Sequence, residues 1–207
     1  MPNEFGSDTD NPDVLSTVGP MMQHKKAVRE YIEKEGQGKV KWIGIANNPW
    51  TDYSLSAGMF GIDVRNKSFT AVEPQAKFNT TSLAQAGRAG AAVVLAEEGV
   101  LKGYENKLVY VNSFFVTQRE IFEAVLRATG TDEGQWKVES EKVDAKIQSG
   151  KDAVAAGNFM GAVNVLYGAT FKEGLGNRYG GELANATLGL PHEDLDEVVN
   201  EVVKSLS

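Results

Sequence analysis

Val40-Lys41-Trp42-Ile43-Gly44-Ile45-Ala46, bounded by Gly38 on one side and Asn47-Asn48-Pro49 on the other, is the stretch that decides the fold. It is a short apolar run, the pattern of a strand covered on both faces, as a parallel sheet requires. Upstream, Pro20 suits a first helical position and Met21 to Glu35 runs without a breaker until Gly36, whereas residues 9–19 are polar and read as a surface loop. Downstream, Lys67–Val72 reads as a strand ended by Pro74, Ser82–Leu95 as a helix packed through small residues, and Lys107–Asn112 as another strand. Thr117-Gln118-Arg119-Glu120 is a capping box that opens a helix with Ile121, Phe122, Val125 and Leu126 on one face, stopping at Gly130. Trp136–Glu139 is a further short strand. From Lys142 to Phe171 the helical period is interrupted by Gly150, Gly157, Gly161 and Gly168, which predicts two broken helices. Pro191 opens the last helix, with Leu195, Val198, Val199, Val202 and Leu206 as its buried stripe. Helices alternating with a parallel-type strand define an α/β chain.

Composition narrows the function. The net charge is −7 over 207 residues, with no basic block, which argues against nucleic acid and against an anionic membrane surface. The absence of cysteine excludes thiol catalysis and cysteine-ligated metal, and His24 and His192 alone cannot build a histidine-rich metal site. No apolar stretch is long enough to span a bilayer, and MPNEFGSDTDNPD lacks the features of a signal peptide, so a cytoplasmic protein is expected. Gly174-Leu-Gly-Asn-Arg-Tyr-Gly180 superficially resembles a dinucleotide fingerprint. Its third glycine comes one position late and no strand precedes it, so the expectation is a flexible or ligand-lining loop.

One lysine stands out. Met21, Lys25, Val28 and Ile32 fall on one helical stripe, which sets Lys25 on the core side of its helix. Lys26 pairs with Glu30 and Arg29 with Glu33 at i,i+4 spacing, which predicts that Lys26 and Arg29 are solvated. A lysine whose stem lies against apolar neighbours either snorkels or has a lowered pKa and transfers protons.

The motifs Pro2-Asn3-Glu4-Phe5-Gly6-Ser7-Asp8 and Lys25-Lys26-Ala27-Val28-Arg29, with the ending Asn185-Ala-Thr-Leu-Gly-Leu-Pro-His-Glu-Asp-Leu-Asp-Glu197, resemble the isoflavone reductase-like and NmrA-like family. The resemblance runs over essentially the whole chain. It implies an atypical short-chain dehydrogenase/reductase, with an NAD(P)-binding Rossmann-type parallel sheet and a smaller α+β substrate lobe. Residues 1–60 would belong to the dinucleotide half and 61–207 mainly to the substrate lobe, with elements returning to the sheet. It further implies Lys25 as general acid/base or proton shuttle beside hydride transfer. Pro2, Asn3, Glu4, Phe5, Asn47 and Asn48 would face NADP, and Trp50, Tyr53 and Met59 a small, often aromatic, substrate. The alternative in the same family is an NmrA-like regulator that binds dinucleotides without using them.

The family's glycine-rich first turn lies upstream of its PNEFG-type loop, on the order of 100 residues for successive βα units. The expectation is therefore a chain without the phosphate-binding half, with one edge of its parallel strand open to self-association or a partner chain. Its NADPH binding should be weak or absent by calorimetry, and low-micromolar affinity would contradict this.

Overall fold

In the computed structural model, which describes residues 1–206, the chain opens with a turn and then a helix where the polar composition predicts a loop. Asn11 Oδ1 accepts from the amides of Asp13 and Val14, Pro12 takes the first position, and Pro12–Val18 (α1) follows. Its one fully buried apolar residue, Val14, packs against Met22, Ala169 and Leu175, with Leu15 and Val18 partly buried beside it. A helix that needs a single buried residue leaves little periodic trace in sequence. Gly19, at φ 77, turns the chain directly into Pro20–Gly36 (α2).

The decisive run becomes strand only over Ile43–Ala46 (β1), since Val40 is already 53% exposed. After Thr51–Ser56 (α3), the chain forms Ile62–Asp63 (β2), Ser68–Glu73 (β3) and Phe78–Thr80 (β4). Ser82 caps Leu83–Leu95 (α4), and Glu98–Tyr104 (α5) leads into Lys107–Tyr110 (β5). β5 lies parallel to β1 with Ile45 opposite Val109. Both faces of this pair are covered, as the sequence required. Ile45 and Val109 meet Ala89 and Val93 of α4, while Trp42, Ala46, Leu108 and Tyr110 meet Ile32 of α2 and Tyr179.

Phe114–Val116 (β6) pairs antiparallel with β4. Gln118–Thr129 (α6) begins with the expected reciprocal capping box and ends on Gly130 in the left-handed conformation. Lys137–Lys142 (β7) runs parallel to β3, which pairs antiparallel with β2 on its other side. The sheet is thus divided into three small pieces. The largest core lies between β2–β3, α6 and three later helices, and is dense in rings; Phe69 stacks on Phe122 at 4.2 Å between centroids.

The helical region is two intact helices, Val143–Ala155 (α7) and Gly161–Phe171 (α8), rather than broken ones. Of the four glycines only Gly157, at φ 85, sits in the turn between them. Gly150 and Gly161 instead let the two backbones touch: a Cβ on residue 161 would lie 2.4 Å from the Gly150 oxygen. Gly161→Ala should therefore push the helices apart and cost about 1–3 kcal/mol, read as a lower urea midpoint with fluorescence as the probe.

The last helix, Leu195–Leu206 (α9), starts four residues later than Pro191 suggests. Asp194 is its cap, Oδ1 accepting from the amides of Asp196 and Glu197. Residues 191–193 are occupied elsewhere, because the Pro191 carbonyl accepts from Gln85 and Glu193 takes hydroxyl bonds from Ser82 and Ser113.

Candidate active site

Lys25 is on the inner side of α2, but the helix is rotated from the predicted stripe. Met21 is 41% and Val28 49% exposed, and the buried line runs through Met22 and Arg29. Arg29, expected in solvent, is 4% exposed. Its local partner is otherwise engaged, since Glu33 accepts from the Trp42 indole at 2.8 Å. The guanidinium turns inward to Glu4, 3.2 Å from Nε to Oε1, and to Asp10, 2.8 Å away.

The opening turn reaches the sheet through Gly6, whose φ of 131 favours glycine. The Gly6 carbonyl accepts from the amides of Asn47 and Asn48 at 3.0 and 2.8 Å, and its own amide donates to Asn47 Oδ1 at 2.9 Å. The turn is thereby clamped to the carboxyl end of β1, where open α/β sheets hold ligands. Lys25 Nζ donates to the Phe5 carbonyl at 2.7 Å across this seam. Burial lowers the Lys25 ammonium below the usual lysine range, opposed by the charge of Glu4.

Beside the ammonium is a cavity of about 210 Å³ lined by Phe5, Met21, Met22, Asn48, Trp50, Tyr53, Leu166 and Tyr167 among others. Phe5, Trp50 and Tyr53 form an edge-to-face series at 6.4 and 6.2 Å. Tyr167, from α8, is held by a 2.7 Å hydrogen bond to Ser54. Two buried donors at this seam, Asn47 Nδ2 and Trp50 Nε1, have no acceptor among the described residues. Buried donors are nearly always satisfied, so the seam has polar capacity the chain itself leaves unused.

Of the residues singled out in sequence, Lys25, Phe5, Asn48, Trp50 and Tyr53 converge on one cavity. Asn47 sits behind it, fully buried, Pro2 is half-buried and Asn3 is exposed. The Glu4 carboxylate is engaged with Arg29 and Thr9, and Glu4 does not line the cavity. Met59 packs against the main core instead of lining the cavity. Sequence reading missed Met22, Leu166 and Tyr167. The only trace of Tyr167 is a phenol on a largely apolar helix.

The glycine-rich loop is a packed seat, not a phosphate loop. Asn48 Nδ2 and the Asn79 amide both donate to the Gly176 carbonyl, and a Cβ at 176 would lie 1.8 Å from the Thr170 oxygen. Tyr179 stacks on Tyr110 at 4.8 Å, and the Gly180 amide donates to Asp8, whose carboxyl burial raises above the usual range. Among the described residues no cluster of His, Asp and Glu is arranged to hold a metal ion, and no helix is long and apolar enough to cross a membrane.

A parallel strand pair covered by helices on both faces, with its candidate site at the carboxyl edge, is of Rossmann-type α/β architecture. The chain has the fold of isoflavone reductase and leucoanthocyanidin reductase, in agreement with the family resemblance of its motifs. The isoflavone reductase structure matches with TM-score 0.73 and 17% identity, over 96% of this chain and 63% of that one. Leucoanthocyanidin reductase from Vitis vinifera, a ternary complex, matches with TM-score 0.74 and 13% identity, over 99% of this chain and 69% of that one. Citrobacter sp. triphenylmethane reductase complexed with NADP(H) matches with TM-score 0.63 and 14% identity, over 98% and 65%. In sequence the chain is 23% identical over 211 residues to oxidoreductase aprR of Aspergillus flavus, covering 99% of this chain and 67% of that protein. No family model matches. The chain thus spans less than two thirds of the isoflavone reductase it resembles.

Proposed function

We propose that the chain carries the reaction seam of an NADPH-dependent reductase of the isoflavone reductase type, acting on a small aromatic carbonyl or conjugated compound. The observation that carries this reading is the half-buried Lys25 ammonium, fixed at 2.7 Å on the Phe5 carbonyl and set against an apolar cavity. The likeness to a reductase complexed with NADP(H) supports the choice of cofactor. What supports a fit to its nicotinamide end is a pair of buried donors without an acceptor among the described residues, Trp50 Nε1 from a cavity-lining residue and Asn47 Nδ2 behind it, at the carboxyl edge of β1.

When bound, the nicotinamide supplies hydride to the substrate's electrophilic carbon. The protein's part is the proton. Lys25 holds it within an apolar wall, where an ammonium costs more than in water and gives the proton up more readily. A substrate oxygen that gains negative charge would take the place beside Nζ, keeping one donor for Phe5 and one for the reacting atom. Phe5, Trp50 and Tyr53 orient the ring by edge and face. Since an apolar cavity of about 150 Å³ admits benzene, the 210 Å³ here has room for one ring, with the remainder of a larger substrate outside.

The test is NADPH oxidation with a panel of single-ring aromatic ketones and quinones, the cofactor in large excess, alongside ligand-observed NMR for ring binding. Turnover that requires the protein supports the reading. Ring binding without oxidation of either NADPH or NADH would overturn it in favour of an NmrA-like, non-catalytic role.

A further inference from the structure

Lys25 and Arg29 stand one turn apart on α2 and grip the same short segment at two points. Lys25 takes the Phe5 carbonyl. Arg29 brings Nε to 3.2 Å of Glu4 Oε1, a contact of charges without an aligned hydrogen bond. It also donates to Thr9 Oγ1 at 2.9 Å and to Asp10 Oδ1 at 2.8 Å, and its Cζ lies 4.9 Å from the Trp42 ring centroid. Thr9 Oγ1 in turn donates to Glu4 Oε2 at 2.6 Å. Gly44 of β1 leaves the carboxylate's stem its room, for a Cβ there would come within 2.6 Å of Glu4 Cγ. The Glu4 side chain is 0% exposed.

We infer that Arg29 is the positioning residue for Lys25: by neutralising and pinning Glu4, it fixes the Phe5 carbonyl and leaves the lysine ammonium facing the cavity. This rests on the reductase reading of Lys25 above. A buried carboxylate does not go without a counter-charge. With Arg29 gone, Lys25 is the next cation on the same helix face, and it would turn inward toward Glu4. The other ionisable groups that share its cavity are the phenols of Tyr53 on α3 and Tyr167 on α8. Burial pushes Tyr167 up to about 12, so it stays neutral through the working range.

The experiment titrates Lys25 directly, by pH-dependent amine acylation with mass-spectrometric readout, and in parallel records the pH profile of kcat. Arg29→Met should raise the apparent Lys25 pKa by about one unit. It should also lower kcat about tenfold with KM changed less than about twofold. Glu4→Gln should move the pKa the opposite way, because it removes the charge that favours the ammonium. The double variant Glu4→Gln/Arg29→Met should regain most of the lost rate, and Arg29→Lys, which keeps the charge but not the planar fork over Trp42, should recover only part of the parental profile. Should Arg29→Met fail to fold, Glu4→Gln alone decides. A Lys25 titration unmoved in the folded variants overturns the inference and leaves Arg29 a purely structural ion pair. Titration shifts in a protein that never oxidises NADPH would sink the reductase reading instead, while the coupling of Arg29 to Lys25 stands.

Discussion

Lys25→Met is expected to lower kcat for NADPH-dependent turnover by about 10²–10³-fold, the usual worth of a positioned general acid, with KM nearly unchanged. Methionine keeps an unbranched stem among Met21, Met22 and Leu166, so the cavity retains its shape. What is lost is the proton and the bond to the Phe5 carbonyl. The fold should survive, since the substitution also removes the cost of holding an ammonium against apolar side chains. The pH dependence carries a sign. A general acid works while protonated, so the parental rate falls as pH rises through the Lys25 pKa. Burial sets that pKa below the ordinary lysine value, and the fall comes at lower pH than for an exposed lysine. The variant should lack this limb. Steady-state rates across the pH range check both points, and a variant with the parental rate and limb removes Lys25 from the chemistry.

Gln118→Leu is expected to destabilise the protein by about 3 kcal/mol or more, since each buried polar group stripped of its partner costs about 1–3 kcal/mol. The side chain is 2% exposed at the first position of α6 and serves several backbone groups at once. Oε1 accepts from the Val72 amide at 2.8 Å, while Nε2 donates to the carbonyls of Phe60 and Thr70 at 2.6 and 2.8 Å. Leucine fills similar space and answers none of them. Gly61 is bound into the same arrangement: at φ 70, a Cβ there would lie 2.9 Å from the Gln118 amide nitrogen. Against a total stability of about 5–15 kcal/mol, the loss should appear as a much lower denaturant midpoint at unchanged slope. A change below about 1 kcal/mol would mean that these backbone groups find other partners.

What the sequence disclosed, and what it concealed, divides along the range of the interactions involved. The capping box at Thr117–Glu120 and the stop at Gly130 are set by residues three or four apart, and both stand as expected. The two-faced burial of β1 is legible because a parallel strand must be apolar throughout. Lys25 is half-buried at the edge of the buried line of Met22 and Arg29, although Met21 and Val28, which share its expected stripe, are exposed. Arg29 departs from its i,i+4 expectation because Glu33 is engaged by the Trp42 indole, and Glu4 and Asp10 claim the guanidinium from another segment. Glycine is ambiguous by nature. Gly157 bends the chain, whereas Gly150 and Gly161 are there so that two helices can touch. Tyr167 reaches the cavity from a helix far along the chain, bonding to Ser54 across 113 residues, and no local pattern announces that approach.

The parallel pairings also govern how quickly this architecture can come into being. β1 waits for β5 and β3 for β7, each partner more than sixty residues further along. The lysine's aromatic chamber is complete only once Tyr167 has been synthesised and docked on Ser54. Long loops must close before such contacts return any free energy, and chains dominated by distant pairings fold slowly, in about milliseconds to seconds. The helical hairpin at 143–171, built from near neighbours, can be in place well before that. The proposed site would then be completed later than the hairpin beside it.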